Sequence, residues 1–452
     1  MCYYDAGGRG RCMNTPIVDF VKNYIDENVS RFHMPGHKGK DVLGFEKYDI
    51  TEIDGADVLS HAEGIILESE ENATKIFDTA HTFYVTEGST RAISSMLALV
   101  KNNDKKTVIL ATRNVHKAFV NACALLDYDV RFIVPNKFLH ISKCEISCDD
   151  IKNGIIENKP DAVYVTSPDY LGNVLDIKGI SKVCKKYGVP LLVDNAHGSY
   201  LKFLGMHPMD LGADVCSDSA HKTLPVLTGG AYLHISKDAP KRFVKNARDK
   251  IALFSSTSPS YLVLQSLDMC NKYLNDGYKE KLESCIQKIE SVKNFLCEKG
   301  FFIEKGETLK IVINANKSGY FGYELKDILR KEKIEVEFYD DTFLVLMITP
   351  ENSDLDFERL KNAFSNISVK EEVIQNTPVL KIPSMKISVK DAVFAEYETV
   401  DIKDSVGRIC ASNVISCPPA IPLVIPGEEI TKETVSLLKH YKIEKINVVK
   451  NN

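Results

Sequence analysis

The chain has 452 residues, 44% of them hydrophobic, and its 57 Lys and Arg residues against 62 Asp and Glu give a net charge of −5. This is enough material for a large core and for two or three domains. The positive charges are scattered, which argues against a nucleic-acid partner, and the longest apolar runs fall far short of the ~20 residues that a membrane helix needs. No apolar stretch follows the first residues as it does in a secretory signal, so we expect a cytoplasmic protein.

The twelve cysteines are spread irregularly, and no C-x-x-C pair occurs among them. Cys144 and Cys148 lie close together, but no second Cys or His pair at the spacing of metal ligands follows them. We therefore predict buried free thiols and no metal site.

Seven short β-rich runs alternate with helical stretches between about residues 80 and 235. This alternation predicts a mostly parallel sheet covered by helices. Polar residues follow the carboxyl ends of the runs, so we expect the functional side chains to lie along one edge of that sheet. The runs are 81–86, 107–112, 130–134, 161–166, 189–194, 213–219 and 229–235.

The chain divides into four predicted parts. An N-terminal arm covers 1–45, and a large α/β domain covers 46–300 and ends in a long helical stretch rich in Leu and Lys. A smaller α+β domain follows at 301–372, and a C-terminal segment covers 373–452. In this last part, the prolines of 415–431 exclude a regular helix or a central strand.

The turn Gly88-Ser89-Thr90 follows the first β-rich run and opens a helix. Helix N-terminal N–H groups and the helix dipole favour a phosphate there, Gly88 permits close backbone approach, and both hydroxyls can donate hydrogen bonds. Ser and Thr are also the preferred N-caps of any helix, so this turn taken alone is more simply explained by capping.

Two further residues suggest cofactor chemistry. Asp194 ends the most apolar run, and an aspartate against the pyridine nitrogen of pyridoxal phosphate (PLP) keeps that nitrogen protonated. Lys222 follows the next run, 28 residues later, and a desolvated lysine can form an imine with an aldehyde. Taken singly, Asp194 could be a helix cap or loop anchor, and Lys222 a surface lysine.

His116 follows the run 107–112 and could stack on a flat cofactor ring, although a lone loop histidine is more often simply exposed. A phosphate turn, a stacking histidine, a ring-nitrogen aspartate and an imine lysine thus occur in this order at successive strand ends. Their convergence favours PLP over coincidence.

These motifs resemble the ornithine/lysine/arginine decarboxylases, PLP enzymes of the aspartate-aminotransferase fold. The PGHK element begins near residue 34 with no receiver-like wing domain before it, so the chain resembles the short, biosynthetic arginine-decarboxylase-like form. The resemblance implies a PLP-dependent transferase-like large domain plus a smaller α+β C-terminal domain. The matching segments are 32–40, 49–60, 88–90, 113–118, 166–177, 191–198, 217–234, 256–268 and 418–431.

The resemblance also implies roles for individual residues. Lys222 would form the imine, Asp194 would contact the pyridine nitrogen, His116 would stack on the ring and His197 would lie near the imine. Glu428 would approach the distal cationic group of the substrate, unless it is a solvated loop carboxylate. The phosphate would be held by Gly88, Ser89, Thr90 and His221, with Ser258 supplied by a neighbouring subunit of a homodimer or larger homo-oligomer.

The chain departs from the family pattern at several positions. Glu87 stands where the family has Asn before the phosphate turn, which puts the phosphate contact in doubt. Asn195 replaces the Glu of DEAHG, Gly229 replaces a Gln, and Pro-Pro-Gly becomes Pro418-Pro419-Ala420.

We therefore expect a PLP-dependent lyase that decarboxylates a basic L-amino acid to an amine, a polyamine precursor, and CO2. Arginine is favoured, with lysine and ornithine possible. An aminotransferase of the same fold is one alternative and would need an arginine such as Arg330, Arg359 or Arg408 for the α-carboxylate. A catalytically silent regulatory member, suggested by Glu87, Asn195 and Gly229, is another.

Overall fold

The computed structural model describes residues 13–133, 140–375, 381–416 and 420–450. The chain forms two compact units, each built from separate stretches of sequence. The first comprises Met1–Thr107, Lys159–Val165 and Ile177–Lys279, and the second comprises Val108–Asn158, Thr166–Asp176 and Glu280–Asn452. Within the described ranges, no helix is both long and apolar enough to cross a membrane. The four-part division by sequence stays a prediction.

Strands and helices alternate through the first half of the chain, as predicted, and each of the seven β-rich runs overlaps one of the strands β1 to β7. The described strands are β1 (His81–Val85), β2 (Val108–Thr112), β3 (Asp129–Ile133), β4 (Ala162–Thr166), β5 (Leu191–Asp194), β6 (Val215–Asp218), β7 (Ala231–Ile235), β8 (Phe302–Ile303), β9 (Lys310–Asn314), β10 (Phe338–Tyr339), β11 (Phe343–Met347), β12 (Tyr397–Asp401), β13 (Val414–Ser416), β14 (Ile421–Val424) and β15 (Lys445–Val449). The described α-helices are α1 (Pro16–Asp26), α2 (Ile65–Phe77), α3 (Ser89–Leu99), α4 (Lys117–Leu126), α5 (Cys148–Asn158), α6 (Ile177–Tyr187), α7 (Ala220–Thr223), α8 (Lys241–Ala252), α9 (Tyr261–Asn275), α10 (Tyr278–Glu298), α11 (Gly322–Lys331), α12 (Asp354–Ser365), α13 (Val389–Phe394) and α14 (Lys432–His440).

The strands of the first unit run in the order β1-β7-β6-β5-β4. β5 and β6 are parallel, with Asp194 opposite Ser217, whereas β7 is antiparallel to both of its neighbours. Every residue of β5 and β6 is buried, as expected for strands covered on both faces. The carboxyl ends of β5 and β6 therefore lie at the same edge of the sheet.

Helix α3 begins directly after β1 and packs against β6 and β7. Its N-cap is Gly88 with φ +78°, a backbone conformation that favours glycine. A Cβ atom at Gly88 would meet no other atom within 4 Å, so backbone conformation rather than space requires the glycine. The helix buries Ala92–Leu99 almost completely, which anchors its N-terminus at the sheet edge.

The second unit contains the parallel pair β2–β3 and an antiparallel four-stranded sheet in the order β10-β11-β9-β8. Helix α11 packs on this sheet, so the smaller α+β part that the sequence predicts is present. Its C-terminal segment adds the two-stranded pairs β12–β15 and β13–β14. Pro422 lies in β14, where a two-stranded pair leaves an edge that tolerates proline, and 417–419 lie outside the described residues.

A buried ion pair ties the β2–α4 connection to the C-terminal segment inside the second unit. The Arg113 and Glu428 side chains are 1% and 0% exposed, and Nη2 lies 3.3 Å from Oε2. Arg113 also donates to the carbonyl oxygens of Pro422 (2.8 Å) and Leu423 (3.2 Å), and the Ile425 N–H donates to the same Glu428 oxygen at 2.7 Å. Each charge thus has an oppositely charged partner and at least one backbone hydrogen bond inside the protein.

Because removing one partner leaves the other charge buried, we predict that Arg113→Met lowers the free energy of unfolding by about 3–5 kcal/mol. The double variant Arg113→Met/Glu428→Leu should regain most of this loss, since an apolar pair replaces the ion pair. Lys390→Met is the matched control, because it breaks the exposed pair between Lys390 and Asp127 that also links the C-terminal segment to α4. Denaturant unfolding measures the stability of the single, double and control variants. A double variant that is no more stable than Arg113→Met would contradict the prediction.

Candidate active site

Lys222 and His197 meet at the edge formed by β5 and β6. Lys222 lies in the short helix α7 after β6, and His197 lies in the turn after β5. The Lys222 Nζ atom is 3.0 Å from His197 Nε2. Lys222 is partly buried and His197 is 5% exposed, so the surface-lysine interpretation does not describe this residue.

Asp194 is a buried carboxylate at the same edge. It is 2% exposed and accepts hydrogen bonds from the Tyr164 hydroxyl (3.1 Å) and the Ala196 N–H (3.2 Å). Burial raises the pKa of Asp194, and the charge of Lys222 partly opposes this. Among the described residues, only these uncharged donors bond to the carboxylate. A protonated ring nitrogen would supply the missing charge, so the site fits PLP.

The N-terminus of α3 offers the predicted phosphate-binding groups. Ser219 donates from its hydroxyl to the Ser89 Oγ at 2.7 Å, which links this turn to the end of β6. Thr90 is exposed, and the Gly88 N–H donates to the Gly229 carbonyl at 2.7 Å. Gly229 has φ +103°, and a Cβ atom there would lie 2.7 Å from the Thr86 carbonyl oxygen. This departure from the family pattern therefore fits the local backbone.

Glu87, the second departure near the phosphate turn, contacts the segment that carries Ser258. Its Oε1 accepts from the Ser256 N–H at 2.9 Å, while its Oε2 has no partner among the described residues. Ser258 is exposed, and its N–H donates to the Ser256 hydroxyl at 3.1 Å. Glu87 thus orders this segment, and its effect on a phosphate stays a prediction.

His221 is half-buried beside Lys222. Its Nδ1 lies 2.9 Å from the Gly230 carbonyl oxygen, which places the proton on Nδ1 and leaves Nε2 as an acceptor in the neutral ring. Burial lowers the pKa of His221, and Lys222 adds to that effect. Without an anion the ring therefore prefers the neutral form, and a nearby phosphate would favour protonation.

His116 and Glu428 belong to the second unit, and their roles stay predictions. His116 is the N-cap of α4, and its Nδ1 accepts from the Ala118 N–H at 3.1 Å, which leaves the proton on Nε2. One Glu428 oxygen is occupied by Arg113, and burial raises the pKa of Glu428 despite that partner. Its Oε1 has no partner among the described residues.

The structure also shows a buried cluster that sequence reasoning missed. Asp218, the last residue of β6, contacts His207, His234 and Asn195, all of which are 0% exposed. The donor atoms of His207, Cys216 and Asp218 lie within 4.8 Å of one another. A charged residue at the end of the buried strand VCSD was the available signal.

Comparison with known families agrees with this arrangement. The family model described as "Orn/Lys/Arg decarboxylase, major domain" matches residues 15–316, and the corresponding C-terminal domain matches 369–447. The chain belongs to the Orn/Lys/Arg decarboxylase family. This confirms the predicted family and, with it, the predicted enzyme class of amino-acid decarboxylases.

Relatives of this family member cover nearly all of the chain. Arginine decarboxylases from Bacillus subtilis and from Halalkalibacterium halodurans are each 30% identical, covering 94% of this chain and 93% of theirs. A lysine decarboxylase structure from Francisella novicida has a TM-score of 0.79 at 17% identity, covering 97% of this chain and 81% of its own. The predicted fold class is thereby confirmed.

We predict that Asp194→Asn raises the free energy of unfolding of the cofactor-free protein, and that this gain depends on pH. The folded-state pKa of Asp194 is raised, so the folded state holds the proton more tightly than the unfolded state. Its stabilising contribution is present below about pH 4 and is lost as pH rises through the folded-state pKa.

The stability of Asp194→Asn minus that of wild type should therefore increase from pH 4 to pH 8 in urea unfolding. Asp238→Asn removes a carboxylate whose side chain is 75% exposed and is the surface control. If this difference stays flat or falls with pH for Asp194→Asn, the folded-state pKa of Asp194 is not raised and the prediction is wrong.

Proposed function

We propose that this protein is a PLP-dependent decarboxylase of a basic L-amino acid, with arginine as the favoured substrate. The observation that carries the proposal is the 3.0 Å contact between Lys222 and His197, beside the buried Asp194, which accepts hydrogen bonds from the uncharged Tyr164 hydroxyl and Ala196 N–H. The arginine decarboxylases at 30% identity support arginine over lysine and ornithine. The lysine decarboxylase structures lie below 20% identity and support only the fold.

Different residues of this chain would bind different parts of the cofactor. Lys222 would form an imine with the aldehyde of PLP, and Asp194 would keep the ring nitrogen of PLP protonated. The N–H groups at the start of α3, with Ser89, Thr90 and His221, would bind the phosphate. His116 would stack on the ring, and Ser258 would come from a neighbouring subunit. When bound, PLP supplies a sink for the electron pair that CO2 loss leaves on the substrate.

Proton transfer falls to Lys222 and His197. Once CO2 has left, the substrate Cα needs a proton, and either Lys222 Nζ or His197 Nε2 would deliver it. Because these two nitrogens are 3.0 Å apart, a proton can pass between them by one hydrogen bond. His197 is almost fully buried, which restricts competing protonation by bulk water.

The aminotransferase alternative receives less support from the arginines available. Arg330 pairs with Glu335, and its side chain is 61% exposed. Arg408 donates to Glu398 and to the Val449 carbonyl. These two guanidinium groups therefore already have partners, and the third candidate, Arg359, is exposed. The silent-member alternative loses part of its motivation because Gly229 and Asn195 have specific local contacts.

We further propose that the protein forms a homodimer or larger homo-oligomer and acts in the cytoplasm. The amine that it produces would be a polyamine precursor. Large apolar side chains are exposed in the segment around the PGHK element, including Phe32 (96%), Val42 (77%) and Leu43 (74%). Such a concentration of exposed apolar surface is typical of a contact with another chain. The nine cysteines of the described ranges are free thiols, which suits a reducing compartment.

With PLP present, wild-type protein should convert arginine to its amine and release one CO2 per amine, without consuming a keto acid. Its kcat/KM for arginine should exceed those for lysine and ornithine by at least about tenfold, because even a difference of one methylene changes kcat/KM by about 10–200-fold. Lys222→Ala should lose at least about 1,000-fold in kcat because the attachment point is gone.

Lys185→Ala is the control, since Lys185 pairs with Asp238 at the surface. Separate assays of amine, CO2 and keto acid decide the reaction class. Keto-acid consumption without CO2 would establish the aminotransferase instead, and no turnover with PLP bound would favour the silent member.

A further inference from the structure

A fully buried hydrogen-bonded network supports the turn that carries Asp194 and His197. The Asp218 Oδ1 accepts from Asn195 Nδ2 at 2.7 Å, and its Oδ2 lies 3.0 Å from His207 Nε2 and 3.3 Å from His234 Nε2. All four residues are 0% exposed. The four side chains therefore interact without competition from water.

Asp218 acts as an anionic acceptor in this network. Burial alone would raise the pKa of Asp218, but His207 and His234 more than offset it and hold the pKa well below its usual range. The Met209 N–H donates to His207 Nδ1 at 3.3 Å, so the His207 proton sits on Nε2, facing Asp218. An ionised Asp218 can only accept, which fixes the Asn195 amide with its NH2 group toward it.

Asn195 transmits this constraint to the site because it lies between Asp194 and His197 in sequence. Its backbone N–H donates to the Ser217 carbonyl at 2.9 Å, and its carbonyl accepts from the Gly198 N–H at 2.8 Å. The first of these bonds attaches the turn to β6 and the second closes the turn itself, so the side-chain bond to Asp218 is a second attachment of the turn to the end of β6.

We propose that Asp218 is a positioning residue of the cofactor site. Through Asn195 it holds the turn 194–198 so that Asp194 and His197 face Lys222. This inference rests on the proposed PLP-dependent function, but its structural part concerns only residues of this chain. The same strand end also continues to Ser219, whose hydroxyl contacts Ser89 of the phosphate turn.

The opposite end of the same strand pair provides a matched control. There the Asp214 carboxylate accepts from the Leu191 N–H at 2.8 Å, which also joins β6 to β5. Asp214 precedes β6, so it lies away from the turn 194–198. Loss of Asp214 should affect folding stability without changing the cofactor site.

A charge-exchange cycle tests the proposal. Asn195→Asp places two carboxylates in hydrogen-bond contact and should weaken PLP binding by about tenfold or more, as residues in direct contact couple on this scale. Asp218→Asn alone should change PLP affinity less than about threefold, because the Asn195 amide can turn and donate or accept. The double variant should return to within about threefold of wild type, since the amide at 218 then donates to the carboxylate at 195.

The readouts are the PLP dissociation constant, the ¹⁵N shift of [¹⁵N]PLP and the melting temperature. A positioning role predicts that Asn195→Asp moves the ring-nitrogen resonance toward the unprotonated form, that the double variant restores it, and that Asp214→Asn leaves it unchanged. An Asn195→Asp protein with a lower melting temperature but unchanged PLP affinity and ¹⁵N shift would overturn the proposal. So would a double variant that fails to recover, or stoichiometric zinc in purified wild-type protein, since His207, Cys216 and Asp218 would then be metal ligands.

Two further measurements keep the test decisive. If Asn195→Asp does not fold, Asn195→Ala removes the same hydrogen bond without adding charge and should also weaken PLP binding; unchanged affinity would overturn the proposal. If wild type takes up no PLP, the proposed function is wrong. Hydrogen exchange of the 194–198 backbone amides in cofactor-free protein then tests whether the Asn195–Asp218 contact holds this turn. Faster exchange in Asn195→Asp that reverses in the double variant supports the positioning role, and unchanged exchange contradicts it.

Discussion

The parallel pairing of β5 with β6 is the constraint on which the candidate site depends. Because Asp194 lies opposite Ser217, both strands end at one edge of the sheet, and the turns that follow them meet there. This places the His197 ring 3.0 Å from the Lys222 amine, although the two residues are 25 positions apart. A shift of one residue in this register would turn Asp194 to the opposite face of the sheet. The chemistry of the site is therefore set by strand pairing as much as by residue type.

Two buried aspartates end these neighbouring strands, and their surroundings give them opposite tasks. Asp218 contacts two histidines and an amide, so groups within the protein stabilise its charged form and its pKa is lowered. Asp194 accepts from a hydroxyl and a backbone N–H, both uncharged, and burial raises its pKa. A carboxylate in this second situation gains most from a cation that a ligand brings, whereas one in the first is suited to holding structure. We therefore propose the same type of side chain as a cofactor contact on one strand and as a structural support on the next.

Sequence alone predicted the strands well because each is a short apolar, β-rich run bounded by polar residues. It also placed Lys222, Asp194 and His197 near one sheet edge, since residues at the ends of parallel strands share that edge. It could not predict the Asp218 network, because the partners of Asp218 come together only through strand pairing and side-chain packing. The Arg113–Glu428 pair joins residues 315 positions apart, which no local pattern encodes. Gly229 looked like a defect in the motif, whereas the approach of the Thr86 carbonyl leaves no room there for a side chain.

Lys222 is the proposed attachment point of PLP, on which the proposed function depends. The most direct measurement is to incubate the purified protein with PLP, reduce it with borohydride, digest it and map the modified lysine by mass spectrometry. We expect stoichiometric label on the peptide that contains Lys222 and loss of that label when a natural amino-acid substrate is added before reduction. Label distributed over exposed lysines, or stoichiometric label at a different lysine, would contradict it.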